Sequence, residues 1–149
     1  MSNNSCFNFS SFFNFLSSTS KEKVFTVGRL DKDSTGLILL TNNGDLVNEC
    51  LRVENGHEKE YVVRIDKKVS DEMLDRFEKG IYLKDLDVTT RPAKVEKISE
   101  YTFKVIISQG LNRQIRRMCQ ACNCKVTSLK RVRVVNVLLG ELKSGQFRE

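Results

Sequence analysis

Between Tyr101 and Gly140 the sequence contains no aspartate and no glutamate, while Lys104, Arg113, Arg116, Arg117, Lys125, Lys130, Arg131 and Arg133 all fall there. A one-signed run can be a solvated face that keeps a protein soluble. Forty residues without an acid are also the electrostatic footprint expected of a surface that meets a polyanion, and phosphate backbones are the commonest one. Acids are scarce elsewhere too: the first twenty residues, MSNNSCFNFSSFFNFLSSTS, carry no charged side chain at all, and five phenylalanines lie between Phe7 and Phe15. A secretory signal is excluded because it needs a basic start and an unbroken apolar core, which asparagine and serine interrupt here. Nothing approaches the about 20 apolar residues of a membrane span, so the reading is a soluble, cytoplasmic protein. Phe12 to Ser18 reads as a short amphipathic helix, with disorder before it.

Histidine and cysteine are too few and too far apart for an easy metal site. Cys119, Cys122 and Cys124 spell C-x-x-C-x-C, but a fourth ligand would have to come from distant Cys50, Cys6 or His57. Reduced, partly buried cysteines in a helix and turn fit better, and we expect no metal. Only one proline, Pro92, interrupts the chain, and no internal repeat is present.

What is present is an ordinary globular composition, 40% apolar and 30% charged, with a formal net charge of +6. A chain of 149 residues suits one domain. We divide it into an uncharged segment, 1–20, and a folded domain, 21–149. Leu37–Thr41 reads as a buried strand closed by the NNGD turn, with Asp45 capping a helix to about Arg52. Glu60–Ile65 alternates as a strand. Ser70 caps a helix that Gly80 ends. Strands follow at Ala93–Ile98 and Tyr101–Ser108. Ile115, Met118 and Cys119 then make a helical stripe that leaves Arg113, Arg116 and Arg117 on other faces. One or two strands close the chain before Gly140. This irregular alternation predicts an α+β fold on a mixed, largely antiparallel sheet.

One carboxylate stands out. Arg29 and Asp31 open the stretch VGRLDKDSTGLILLTNNGDL. Asp31 fits an Asx-turn over DKDS. It equally fits a strand-edge carboxylate held ionised by a guanidinium, since an opposite charge within about 4–6 Å favours the anion and keeps it nucleophilic.

Three ordered blocks resolve the choice by resemblance. GRLDKDSTGLILLTNNGDL, HEKEYVV and QGLNRQIRRM together resemble the motifs of the RsuA-type ribosomal RNA pseudouridine synthases, with LRVENGHEKEY worded most like the branch that modifies 23S ribosomal RNA. The resemblance implies a cofactor-free isomerase in which an aspartate attacks the ribose, the C1′–N1 bond breaks, the uracil turns and C5 bonds to C1′. It implies that Asp31 is that aspartate, that Tyr61 lies against the uracil, that Arg116 pairs with Asp31, and that Arg29 helps hold the flipped nucleotide. Lys59, Arg113, Arg117, Lys130, Arg131 and Arg133 are then expected on RNA, although Tyr61 also fits strand packing and Lys59 a strand-edge charge. His57 is left out of the site. The implied partner is ribosomal RNA, acted on by a monomer with no membrane or DNA. The S4 domain and KP-G strand that usually precede the first motif do not occur, which makes a truncated, RNA-binding remnant the alternative expectation.

Overall fold

The computed structural model describes residues 23–149; the helix expected at Phe12–Ser18 and the 1–20 segment lie outside them. A central strand, β4 (Lys59–Ile65), organises the architecture. It pairs antiparallel with β8 (Thr102–Ile107) on one side and β9 (Val126–Val134) on the other. Beyond β8 lies β7 (Lys94–Ser99), and beyond β9 lies β10 (Val137–Leu138), both antiparallel. A short β2 (Thr35–Gly36) joins the flank of β9 in parallel. The fold is therefore α+β on a mixed, mainly antiparallel sheet, as the element pattern predicts.

Burial explains the pairing. On one face of the sheet Val63 and Ile65, Phe103, Val105 and Ile107, and Val126 and Leu129 form a continuous apolar layer. Helix α2 (Asp71–Lys79) lays Met73 and Phe77 on it, and α3 (Gln114–Ala121) lays Ile115, Met118 and Cys119. Phe77 meets Phe103 edge-on at 5.4 Å, a geometry that suits the ring quadrupoles. The Ser70 hydroxyl accepts from the Met73 amide at 3.2 Å, and Gly80, at φ 96°, ends α2. Two strands, β5 (Tyr82–Leu83) and β6 (Val88–Thr89), form a separate small ladder.

The N-terminal portion is a second, smaller layer. Strand β1 (Phe25–Val27) pairs with β3 (Leu39–Thr41), and α1 (Gly44–Leu51) packs against both. Two expectations shift here. The strand expected at Leu37–Thr41 begins at Leu39, because Leu37 turns inward to a small cluster with Val134 and Leu139. The cap of α1 is Asn43 and not Asp45: the Asn43 side chain accepts from the Asp45 and Leu46 amides at 3.0 and 3.4 Å, placing Asp45 in the first turn, where its charge suits the helix dipole.

The parallel contact between β2 and β9 depends on a glycine. Gly36 sits at φ 111°, and a Cβ there would lie 2.1 Å from the carbonyl oxygen of Arg131. Backbone this close admits only glycine. Two irregularities in the β4–β9 register, at Glu60/Tyr61 and Arg64/Ile65, accompany a burial pattern in which Val126, Leu129, Arg131 and Val134 are all buried. Gly36→Ala should cost about 1–3 kcal/mol of stability, measured by denaturant unfolding, because the strained φ and the clash coincide.

Candidate active site

The motif residues converge at the seam between the two layers. A cavity of about 520 Å³ opens there. Its walls come from the loop after β1 (Gly28 to Asp31), the end of α1 and its sequel (Cys50 to Arg52, His57), the start of β4 (Lys59, Tyr61), and the loop from β8 into α3 (Ser108 to Gln114), with Leu129 and Arg131 from β9. Asp31, Tyr61, Arg29, Lys59, Arg113 and Arg131 thus share one cavity. Among the described residues Asp31 is the one carboxylate on its lining, against five cationic side chains, the fifth being Arg52. Arg116, Arg117, Lys130 and Arg133 stand outside it.

Asp31 opens a tight turn, where the Ser34 amide donates to its carbonyl at 2.9 Å. The expected Asx-turn is not formed: the main-chain carbonyl of Asp31 makes the turn, which leaves its side chain part-exposed at the cavity wall. Its ion-pair partner is Arg113, Nη1 to Oδ2 at 3.9 Å. The expected pairing with Arg116 is not what the structure has. Arg116 donates instead to the carbonyl of Asp33 at 2.7 Å and lies 3.4 Å from its Oδ2. Asp33, two residues on, also takes a fork of two bonds from Arg113 at 3.0 and 2.9 Å. Those bonds from Arg113, reinforced by the nearby charge of Arg116, hold the Asp33 carboxyl down at about 2. The reason is reach: Asp33 lies on the outer arm of the turn, facing the start of α3, so it intercepts both guanidinium groups.

Arg113 is held in the left-handed region, φ 50° and ψ 37°, as the residue before α3. A non-glycine there carries strain, and such strain concentrates at functional sites. Its neighbours hold the geometry. Gln114, buried, accepts from the Leu111 amide at 3.2 Å and donates to the Gln109 side chain at 3.3 Å, and Gln109 accepts from the Arg91 amide at 2.9 Å. From sequence, Cys50 is weighed only as a metal ligand, His57 is left out of the site, and no role falls to Arg52 or to these two glutamines. Of these, only Gln114 offered a signal, since a polar residue on the apolar stripe of a helix needs a partner.

Several arginines expected on RNA are engaged elsewhere. Arg131 is 2% exposed, its Nε donating to the Leu37 carbonyl at 2.8 Å and its Nη1 to that of Arg29 at 3.3 Å, so it cannot grip a backbone phosphate at the surface. Arg133 is tied to Glu60 at 2.8 Å and Glu58 at 3.2 Å on the opposite face of the sheet. Arg117 pairs with Asp85 at 2.9 Å and also bonds Asn112. Lys130 is exposed and makes no ion pair among the described residues. The acid-free stretch is thus largely neutralised by acids from earlier strands and turns. Among the cysteines, Cys119 and Cys124 are buried, and the Cys124 thiol lies 3.2 Å from the Cys119 carbonyl and 3.7 Å from the Met73 sulfur. No group of three or more His, Cys, Asp or Glu able to hold a metal ion occurs among the described residues.

An α+β sheet thus meets a loop carboxylate, a tyrosine and several cations at one cavity. The chain belongs to the RNA pseudouridylate synthase family, whose model matches residues 7–121. Among curated relatives it is 47% identical over 128 residues to the dual-specificity RNA pseudouridine synthase RluF of Salmonella typhi, covering 86% of this chain and 44% of that one. It is 38% identical to the ribosomal large subunit pseudouridine synthase B of Xylella fastidiosa, covering 83% of this chain and 28% of that one. The chain spans less than half the length of these relatives. A solved pseudouridylate synthase superposes with a TM-score of 0.86 at 33% identity, covering 93% of this chain and 59% of that one.

Because its carboxyl is held down, the Asp33 clamp contributes fully above the ordinary carboxylate value of 3.8 and is lost as pH falls toward about 2. Nearly half the side chain is exposed, so screening limits the contribution to under about 1 kcal/mol. A carbon-detected NMR titration should find the Asp33 carboxyl near 2 in the wild type and moved well up toward 3.8 in Arg113→Ala.

Proposed function

We propose that this chain isomerises uridine to pseudouridine in ribosomal RNA, most closely in the manner of large-subunit enzymes, without a cofactor and in the cytoplasm. The observation that carries the reading is Asp31 as the one carboxylate, among the described residues, on a cavity lining that also holds Tyr61, with the Arg113 guanidinium 3.9 Å away. Chemistry on a base requires the nucleotide to leave its stack, at a cost of a few kcal/mol. Stacking on Tyr61, worth about 1–3 kcal/mol, offsets that cost, and Arg29, Arg52 and Arg113 offer charge to the flanking phosphates.

In this reading an Asp31 oxygen bonds to C1′ as the C1′–N1 bond breaks. The freed uracil turns over Tyr61, C5 bonds to C1′ and Asp31 departs. The C5 proton then passes to water while N1 gains one. Arg113, 3.9 Å from the Asp31 carboxylate, aims it. Arg116 acts one step back, holding the Asp33 carbonyl and so the turn that presents Asp31.

The test is tritium release from RNA labelled at uracil C5. Release by the wild type and none by Asp31→Asn, with unchanged circular dichroism, is the expected result. No release by either would leave RNA binding without turnover. Since most of the basic stretch is internally paired, the salt dependence of RNA affinity should be modest. A logarithmic slope of about −0.7 per phosphate over two to four contacts is expected by filter binding, not one scaled to all eight basic residues.

A further inference from the structure

The five cations around the cavity divide into two sets. Arg29, Arg52 and Arg113 are exposed at the rim, where a phosphate backbone stays in water. Lys59 and Arg131 lie deeper. Arg131 is 2% exposed, and two of its three guanidinium nitrogens are committed to the carbonyls of Leu37 and Arg29. Its third, Nη2, is buried with no hydrogen-bond partner. Lys59 is half-buried on the same lining, makes no ion pair among the described residues, and has Arg131 as a charged neighbour. Burial, and then the charge of Arg131, push the Lys59 ammonium below its ordinary value.

Two adjacent cations with no acid between them, one keeping a spare buried N–H, are costly unless an anion completes them. Asp31 cannot be that anion, because its ion pair is with Arg113 at the rim. Tyr61 lies directly across the β4–β9 ladder from Arg131 and two residues along β4 from Lys59, and all three line the cavity, so a ring resting on Tyr61 has this pair beside it. A backbone phosphate would have to leave the rim to reach it.

Resting on the function proposed above, we infer that Lys59 and Arg131 form a subsite for the anionic pyrimidine released when the glycosidic bond breaks. The electron pair of the C1′–N1 bond leaves on the ring and spreads over N1, O2 and O4, while the sugar carbon is taken by the Asp31 oxygen. Lys59 and the Arg131 Nη2 donate to the ring oxygens in that interval. They release them when C5 bonds to C1′, Asp31 leaves, C5 gives its proton to water and N1 takes one up. Charge that develops only after bond breaking is the kind that fixed donors stabilise best, and removal of one such donor typically slows turnover by about 10²–10³-fold.

Two probes test this without requiring turnover: uracil, neutral at neutral pH, and 5-nitrouracil, which is an anion there and has nearly the same shape. Calorimetry on the wild type should find the anion bound at least about tenfold more tightly, a preference that Lys59→Gln abolishes. Arg131→Lys should reduce it as well. Arg131 also holds two loop carbonyls, so Lys59→Gln is the deciding variant where Arg131→Lys fails to fold. In parallel, the single-turnover rate of pseudouridine formation at saturating enzyme should fall about 10²–10³-fold in Lys59→Gln with little change in RNA Kd. Equal binding of the two probes by the wild type, or a preference and rate unchanged in Lys59→Gln, would overturn the subsite. A retained preference for the anion in a wild type that makes no pseudouridine would instead leave the subsite standing and overturn the function on which it rests.

Discussion

The guanidinium of Arg131 is the pin on which this structure turns. It is a buried charge on β9, and its bonds to the carbonyls of Leu37 and Arg29 fasten both sides of the loop that carries Asp31. Buried charge is costly, and carbonyl acceptors only partly replace water. Gly36 makes the arrangement possible, because the backbone of β2 must come within contact distance of Arg131 itself. The loop, the sheet and the cavity floor are therefore one mechanical unit. A residue read from sequence as an outer phosphate grip is the inner post that holds the nucleophile's loop to the sheet.

The electrostatics obey the same geometry. Residues 101–140 contain no acid, yet their cations are mostly answered in space: Lys104 by Glu60 and Glu96, Arg113 and Arg116 by Asp33, Arg117 by Asp85, Arg133 by Glu58 and Glu60. Antiparallel pairing sets Glu60 of β4 opposite Arg133 of β9 and Glu96 of β7 opposite Lys104 of β8, while Asp33, Glu58 and Asp85 come from the connections between strands. One-signed sequence thus becomes mixed-sign surface. On the cavity lining, Arg29, Arg52, Lys59 and Arg131 make no ion pair among the described residues, so positive charge can act there on a substrate at short range.

Legibility followed the range of the interaction. Helix α2 could be read almost to the residue, because its cap, apolar spacing and terminal glycine are all local. The main strands and the α3 stripe were legible within a residue or two for the same reason. The cap of α1 was misread because two polar residues flanking Gly44 could both serve, and only backbone geometry selects Asn43. The motif blocks located the cavity, but not who pairs with whom in it. Arg116 and Arg113 are three residues apart on one helical turn, and their choice between Asp31 and Asp33 depends on where an irregular turn sits across the seam. The fate of Arg131 and Arg133 was equally hidden, since register irregularities between β4 and β9 decide which side chain turns inward.

At the far end of the sheet, β7 runs Lys94, Val95, Glu96, Lys97, Ile98, Ser99, with a register irregularity between Lys97 and Ser99. A terminal strand is a template onto which another chain can zip, above all in a protein with a flat apolar sheet. Here an incoming strand would have to seat itself beside alternating positive and negative charges and follow a ladder that breaks before its end. Ile98, exposed near that break, has no regular neighbour to extend an apolar row. The consequence is a border closed to strand addition, so the sheet can be short and still not grow from copy to copy.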